Sequence, residues 1–293
     1  MSVAHRWRSW ILVATVAVVV LMPVASYANH SWGGYHWART ANPFTLKLYD
    51  NVTANWEGYL STAVSDWNKS TVLDYNPQWQ SPLSNVRRCA SATGVVEVCN
   101  TTYGNNGWLG IAGISISGLH ITKGYTKLND TYFNTSTYNT PAWRQMVVCQ
   151  EIAHDFGLDH QDETFNNANL GSCMDYTNDP DGGAGGAVSN DPSNEHPNQH
   201  DYDEISIIYA HLDSFTTIAS VIDVMAQSLT RPPTMSELLS DAGQWGTPIH
   251  YDGQGRPNVF ALPTGRNANG ELEFDLTHVL WAPDFPGNGR SNE

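Results

Sequence analysis

The chain has 293 residues, of which 41% are hydrophobic and only 15% are charged, so it can bury a sizeable core as one large domain or two small ones. Its 14 Lys and Arg against 29 Asp and Glu give a formal net charge of -15, and a surface this acidic repels phosphate groups. We therefore expect neither nucleic acid nor an anionic membrane as a partner.

The first 28 residues have the pattern of a secretory signal peptide. Basic residues within 5–8 precede an apolar run over 11–22, which is too short to span a bilayer comfortably. Ser26 and Ala28 are small residues at the two positions that a signal peptidase reads. We predict cleavage after Ala28 and a secreted, extracellular protein, with an uncleaved anchor as the alternative.

Four cysteines, an even number in a chain with an export signal, predict two disulfide bonds. Cys89, Cys99, Cys149 and Cys173 allow three pairings. None of them has the Cys-x-x-Cys spacing of a thiolate zinc site.

The mature chain begins with a strand–helix–strand pattern. A strand is predicted over 44–49, an amphipathic helix over 56–67 with Thr53 as its N-cap, and a second strand over 72–75. Three further strands are predicted at the following positions: 95–98, 109–119 and 121–128. The Thr and Lys residues of the last one suggest a strand at the edge of the sheet.

Two more helices and a hairpin complete the pattern. Pro141 opens a helix that Gly157 ends, and Asp201 is the predicted cap of a third helix. A weakly helical segment over 215–229 precedes strands at 259–262 and 272–281, which a turn at Asn269-Gly270 joins. We predict one domain over 29–213 and a C-terminal appendage with a β-hairpin over 214–293.

The chemistry is concentrated between residues 150 and 160. Glu151, His154, Gly157 and His160 form the pattern E-x-x-H-x-x-G-x-x-H. Residues 150 and 154 share a helix face, and a glycine can take the left-handed conformation that returns His160 toward His154. We expect His154 and His160 to hold a metal and Glu151 to accept a proton from metal-bound water.

This stretch resembles the zinc-binding motif of the metzincin metalloproteases, H-E-x-x-H-x-x-G-x-x-H, with Gln150 in place of the first His. Residues 172–176 resemble the Met-turn of that family, in which a Met, here Met174, lies beneath the metal. Residues 201–210 resemble the closing helix of its matrixin branch. Over 40–212, the chain therefore resembles a matrixin-like, bacterial-type secreted metzincin.

The resemblance implies an α+β fold with a twisted mixed sheet, an active-site helix and a Met-turn, to which the C-terminal β appendage is added. It implies a zinc endopeptidase that cuts protein or peptide substrates as a monomer. Tyr176 holds the position from which a Tyr of some metzincins reaches the metal or the transition state. Because the Met-turn packs under the helix in that family, the resemblance also implies the pairs Cys149–Cys173 and Cys89–Cys99.

Gln150 leaves the third zinc ligand open. Its amide oxygen is a poorer zinc donor than an imidazole nitrogen. Gln150 is a weak ligand, or His196 or His200 supplies the third nitrogen, or the protein is a secreted binding protein on the same scaffold that cuts nothing. The presence of Glu151 favours the enzyme.

Acidic residues surround the motif. A solvated rim, one member of which supports a histidine ring, is predicted from the following residues: Asp155, Asp159, Asp162, Glu163 and Asp175. A calcium site is an alternative to a solvated loop at Asp179, Asp181 and Asp191, although EF-hand spacing is absent.

Overall fold

A mixed β-sheet organises the part of the chain that the computed structural model describes, which is residues 30–78, 83, 85–183, 190–219 and 244–285. The predicted signal peptide lies outside these residues. The nine strands of the described sheet are β1 His36–Trp37, β2 Phe44–Asn51, β3 Leu73–Gln78, β4 Val96–Thr101, β5 Trp108–Ser117, β6 His120–Asn129, β7 Thr247–Tyr251, β8 Pro257–Arg266 and β9 Leu272–Trp281. The helices are α1 Ala54–Trp67, α2 Asp130–Phe133, α3 Pro141–His154 and α4 Gln199–Ile208. This bears out the predicted α+β class.

One half of the sheet is parallel, in the order β3-β2-β4-β6, and β1 pairs with the start of β6. Strand β6 is interior, so its prediction as an edge strand was wrong. The polar residues that suggested an edge have partners inside the protein. The hydroxyl of Thr126 donates to Asp155, and the ammonium of Lys127 lies over the ring of Tyr125.

The other half of the sheet is antiparallel and holds the strands of the predicted appendage. β9 pairs with β5 and with β8, and β8 pairs with β7. The predicted hairpin turn is present, closed by a hydrogen bond from Gly270 N to Asn267 O. The C-terminal strands thus continue the sheet that begins near residue 36. From residue 220 onward, the predicted helical segment lies outside the described residues.

Helices α1 and α3 pack against each other and α3 packs on the sheet, through β5 and β6. The indole nitrogen of Trp67 in α1 donates to Cys149 O, and the hydroxyl of Tyr75 in β3 donates to Ile152 O. Hydrogen bonds therefore tie α3 to α1 and to the sheet. Thr140 caps α3 by accepting from Trp143 N, with Pro141 at the first helical position.

Helix α4 begins earlier than the sequence suggested. Asn198 is its N-cap, and Asp201 closes a capping box from the third helical position rather than serving as the cap itself. Among the described residues, no helix is long and apolar enough to cross a membrane.

The disulfides are Cys89–Cys99 and Cys149–Cys173, so the predicted pairing is confirmed. The second bond joins α3 to the turn at residues 172–175 and encloses the whole E-x-x-H-x-x-G-x-x-H stretch.

Removing each disulfide tests what it contributes to stability. The chain-entropy model gives a loss of about 3.5 kcal/mol for Cys149→Ala/Cys173→Ala, whose cysteines are 24 residues apart. It gives about 2.8 kcal/mol for Cys89→Ala/Cys99→Ala, whose cysteines are 10 apart. Denaturant unfolding of both variants measures the losses. A smaller loss for the longer loop would contradict this ordering.

Candidate metal centre

The end of α3 and the turn after it bring two histidines together. His154 is the last helical residue, and Gly157 follows with a φ of 97° that an L side chain rarely adopts. A Cβ at Gly157 would collide with the carbonyl oxygen of Tyr35. This tight turn returns the chain, so that the ring centroids of His154 and His160 lie 4.6 Å apart.

A third imidazole comes from the C-terminal half of the sheet. His278 lies on β9, paired with Ala112 of β5, and its ring centroid lies 4.3 Å from that of His154 and 4.5 Å from that of His160. One ligand nitrogen from each ring lies within 4.8 Å of the other two, and all three side chains are buried. Three histidines from two distant parts of the chain therefore form one cluster.

Hydrogen bonds orient the three rings. Nδ1 of His154 donates to Leu158 O at 2.8 Å, because a carbonyl oxygen only accepts. Nδ1 of His160 lies 2.8 Å from a carboxylate oxygen of Glu163, which fixes it as a donor in the same way. Each ring therefore directs Nε2 toward the cluster, and neither Nε2 has a hydrogen-bond partner among the described residues. Buried nitrogens of this kind fit a bound metal.

The ring of His278 is held from both sides. Its Nδ1 lies 3.4 Å from Oε2 of Glu151, and its Nε2 lies 2.8 Å from the hydroxyl of Tyr176. The amide nitrogen of Asn258 donates to that hydroxyl oxygen at 3.3 Å, so the single proton of the hydroxyl is available to His278. Glu163 accepts from Asn258 as well, at 2.8 Å, which joins the supports of His160 and His278.

Charge and burial set the protonation of the rings. Burial lowers the pKa of His154 to about 3, with help from the neighbouring His160, and burial also holds the pKa of His278 well below its usual value. Burial opposes the charge of His160 too, but its hydrogen bonds with Asp159 and Glu163 outweigh this and raise its pKa to about 9. Carboxylates that favour a proton on this ring favour a metal cation at Nε2 for the same reason.

Glu151 is fully buried beside the cluster. Gly110 of β5 makes room for it, since a Cβ at that position would lie 2.5 Å from Oε1 of Glu151. That oxygen has no hydrogen-bond partner among the residues described. Burial raises the pKa of the carboxyl group well above its usual value, against the opposing charge of His160.

Gln150 is also buried, and its Nε2 donates to Cys173 O at 2.8 Å. Since a carbonyl oxygen only accepts, this bond identifies the amide atom that faces Cys173 O as nitrogen and the other one as oxygen. Oε1 is left as a buried acceptor without a hydrogen-bond partner in the described part of the chain. An acceptor of this kind suits a cation or a water molecule, and the role of Gln150 as a metal ligand stays a prediction.

The structure places His196 and His200, the second of which lies in α4, away from the cluster. His196 is half-exposed and its Nδ1 lies 2.6 Å from a carboxylate oxygen of Asp66, while the ring of His200 stacks on that of His30. Neither belongs to the group that contains His154 and His160.

Only some residues of the predicted acidic rim are exposed to solvent. Asp155 and Asp175 are fully buried, and Asp155 accepts from Thr126 while Asp175 accepts from Leu170 N. Glu163, at 2.8 Å, and Asp159, at 3.3 Å, both lie against Nδ1 of His160 and support its ring. In the described part of the loop, no group of three candidate ligands includes the predicted calcium residues, which are Asp179, Asp181 and Asp191.

His278 is a site residue that no pattern in the sequence indicated. It lies far from the motif along the chain, and no ligand spacing links the two. The one available signal is the two-residue period of β9, which places His278 on the same face as Leu276 and Leu280, in a stretch that is buried on both faces. A His among apolar residues of a strand is a weak indication of a metal ligand until the neighbouring strands are known.

No protein-family model and no curated protein matches the chain. Among solved structures, it is similar to high choriolytic enzyme 1, a hatching-enzyme zinc protease from the medaka fish Oryzias latipes, with 12% identity over 60% of this chain and 94% of that one and a TM-score of 0.33. It is also similar to myroilysin, with 12% identity over 59% of this chain and 96% of that one and a TM-score of 0.34. Both likenesses are weak, so the chemistry of the site carries the functional assignment.

Metal affinity tests the membership of the cluster. We expect His278→Ala to weaken zinc binding by more than about 100-fold. Removal of a residue that only hydrogen-bonds to a metal ligand costs at most about that much, so a larger loss indicates a direct ligand. His196→Ala and His200→Ala should leave the affinity of this centre unchanged, because neither ring belongs to the group. A competition titration with a zinc indicator measures all three variants. Retained affinity in His278→Ala together with loss in either loop variant would refute the assignment.

Proposed function

We propose that the chain is a zinc-dependent endopeptidase that acts as a monomer on protein or peptide substrates. The observation that carries the proposal is the convergence of three buried imidazoles beside the carboxyl group of Glu151. Three nitrogen ligands favour Zn²⁺ over the hard cations. A set of three protein ligands is also typical of catalytic zinc, since it leaves a position for water or substrate.

The chemistry that a bound zinc ion supplies is Lewis acidity, which polarises a carbonyl group and lowers the pKa of water. Glu151 acts as the general base. It accepts a proton from the attacking water as the water oxygen bonds to the peptide carbonyl carbon. It then returns that proton to the leaving nitrogen as the carbon–nitrogen bond breaks. The raised pKa of Glu151 suits a group that must both accept and release a proton.

Tyr176 is the second proposed catalytic residue. Burial holds the pKa of its hydroxyl well above the usual value, so the group keeps its proton. The hydroxyl faces His278, and once that ring held a metal, its proton would be free for the substrate. In this proposal it then donates a hydrogen bond to the substrate carbonyl oxygen as negative charge develops there. Gln150 is proposed as a weak oxygen donor that gives way to water or substrate at the fourth position, with His278 as the third nitrogen ligand. Its support is that Oε1 has no hydrogen-bond partner among the described residues.

The finer family assignment is a matrixin-like metzincin. Its support is the motif at 150–160 and the turn at 172–175, where Met174 is fully buried and its backbone N–H bonds to the side chain of Ser172. We assign this turn as the Met-turn. The two disulfides support the proposal that the protein is exported after loss of residues 1–28.

A neighbouring cavity of about 530 Å³ supports the binding of a substrate side chain. Its lining includes Trp32, whose ring lies 5.4 Å from that of His154, and Asp159, which adjoins His160. Val259 and Leu276 contribute apolar walls. A cavity of this size and character suits a large apolar side chain next to the bond that is cut.

A second candidate function is a secreted binding protein on the same scaffold. One observation favours it: Glu151 is fully buried and faces His278, as a residue that only positions a ligand would. One equivalent of zinc at this centre, without hydrolysis of unstructured casein, would support this candidate. Casein cleavage that a chelator stops and zinc restores would support the enzyme.

Replacing Glu151 by its neutral isostere separates the two candidates. We expect Glu151→Gln to keep the zinc, because all three imidazoles remain, and to lower casein cleavage by about 10²- to 10⁴-fold through loss of the base. Glu57→Gln, on the exposed face of α1, is the matched control and should retain full activity. Wild-type cleavage rates in Glu151→Gln would remove Glu151 from the mechanism.

A further inference from the structure

A second group of histidines lies where the short strand β1 pairs with the start of β6. His36 and His120, which are register partners in β1 and β6, meet the carboxylate of Asp213 from the segment that follows α4. His211 joins them from the same segment. No residue of this group belongs to the centre described above.

The nitrogens of the group converge on one carboxylate oxygen. Oδ1 of Asp213 lies 3.2 Å from Nε2 of His120, 3.7 Å from Nε2 of His211 and 3.8 Å from Nε2 of His36. The two nitrogens of His36 and His211 are 3.0 Å apart. Two nitrogen ligands of a tetrahedral zinc ion, each at 2.0–2.1 Å from the metal, are separated by about 3.3 Å. The spacing therefore matches two ligands that share one ion.

The outer contacts orient these ligands. Nδ1 of His36 donates to Gly34 O at 2.9 Å, which leaves the lone pair on Nε2 directed at the group. Oδ2 of Asp213 accepts from the backbone N–H and the guanidinium of Arg39, so Oδ1 is the oxygen that faces the histidines. Hydrogen-bonded outer partners of this kind are typical of metal ligands.

We propose that this group is a second zinc site, with a structural role. Its ligands are three histidines and one aspartate: His36, His120, His211 and Asp213. Four protein ligands make a closed site, which is the pattern of structural zinc, whereas the first centre has three imidazoles and a position open to water or substrate. The inference does not depend on the proposed function, because a chain without peptidase activity would still hold this metal.

The position of the site explains what a metal would stabilise there. The segment that carries His211 and Asp213 runs beside the chain at Ala38 and Arg39, through bonds from Asp213 N to Arg39 O and from Thr217 N to Ala38 O. A metal would fix this segment to the start of β1 and β6. Next to the ligand His36, Trp37 donates to Asp155 O, immediately after α3, so the site also supports the helix that carries His154.

Metal content of the full chain tests the inference. We expect two equivalents of zinc in the wild type after dialysis, and one in His120→Ala/His211→Ala. These two ligands are partly exposed, so their removal should spare the core. His154→Ala/His160→Ala should also hold one equivalent, the one at this site. The zinc that remains in each double variant reports that the chain is folded.

A matched control and a stability readout complete the experiment. His196→Ala removes a half-exposed histidine that is likewise paired with an aspartate, and it should keep both equivalents. Adding zinc to metal-free protein should raise the melting temperature of His154→Ala/His160→Ala, but not that of a variant that lacks all four of these histidines. Wild-type stoichiometry in His120→Ala/His211→Ala would overturn the inference. If the His154 centre binds no zinc but the His36 group does, the wild type and His154→Ala/His160→Ala would each hold one equivalent.

Discussion

The pairing of β9 with β5 is the constraint on which the candidate metal centre depends. Its register sets His278 opposite Ala112 and Leu280 opposite Gly110. Small residues on β5 let the sheet and α3 approach closely enough for Glu151 to fit over Gly110. A shift of this register by one residue would turn His278 to the opposite face of the sheet and leave the centre with two imidazoles.

Burial gives the centre its chemical character. The three rings and Glu151 are removed from water, so their charged forms are costly unless a partner compensates. Glu163 and Asp159 provide that compensation for His160, and the described contacts leave Nε2 of His154 and of His160 without a hydrogen-bond partner. A divalent cation would satisfy both nitrogens at once. At Asp213, three imidazoles likewise converge on one carboxylate oxygen, although two of these rings are partly exposed.

Local patterns in the sequence predicted the local structure well. Helix α3, its end near Gly157 and the approach of His160 to His154 all follow from helical spacing and from the freedom of glycine, and the structure contains them. What the sequence could not supply was the order of the strands. His278 and the His36 group depend on which strands become neighbours, and no short-range spacing encodes that. For the same reason, the polar residues of β6 and the buried Asp155 suggested an exposure that they do not have.

Locating the metal itself tests the three-histidine centre most directly. Crystals of the full mature chain grown with zinc, measured on both sides of the zinc absorption edge, would show each ion as an anomalous peak. We predict a peak at 2.0–2.1 Å from one imidazole nitrogen each of His154, His160 and His278, separate from any peak at the His36 group. A zinc peak bound by His154 and His160 together with His196 or His200, with His278 outside the coordination sphere, would contradict it.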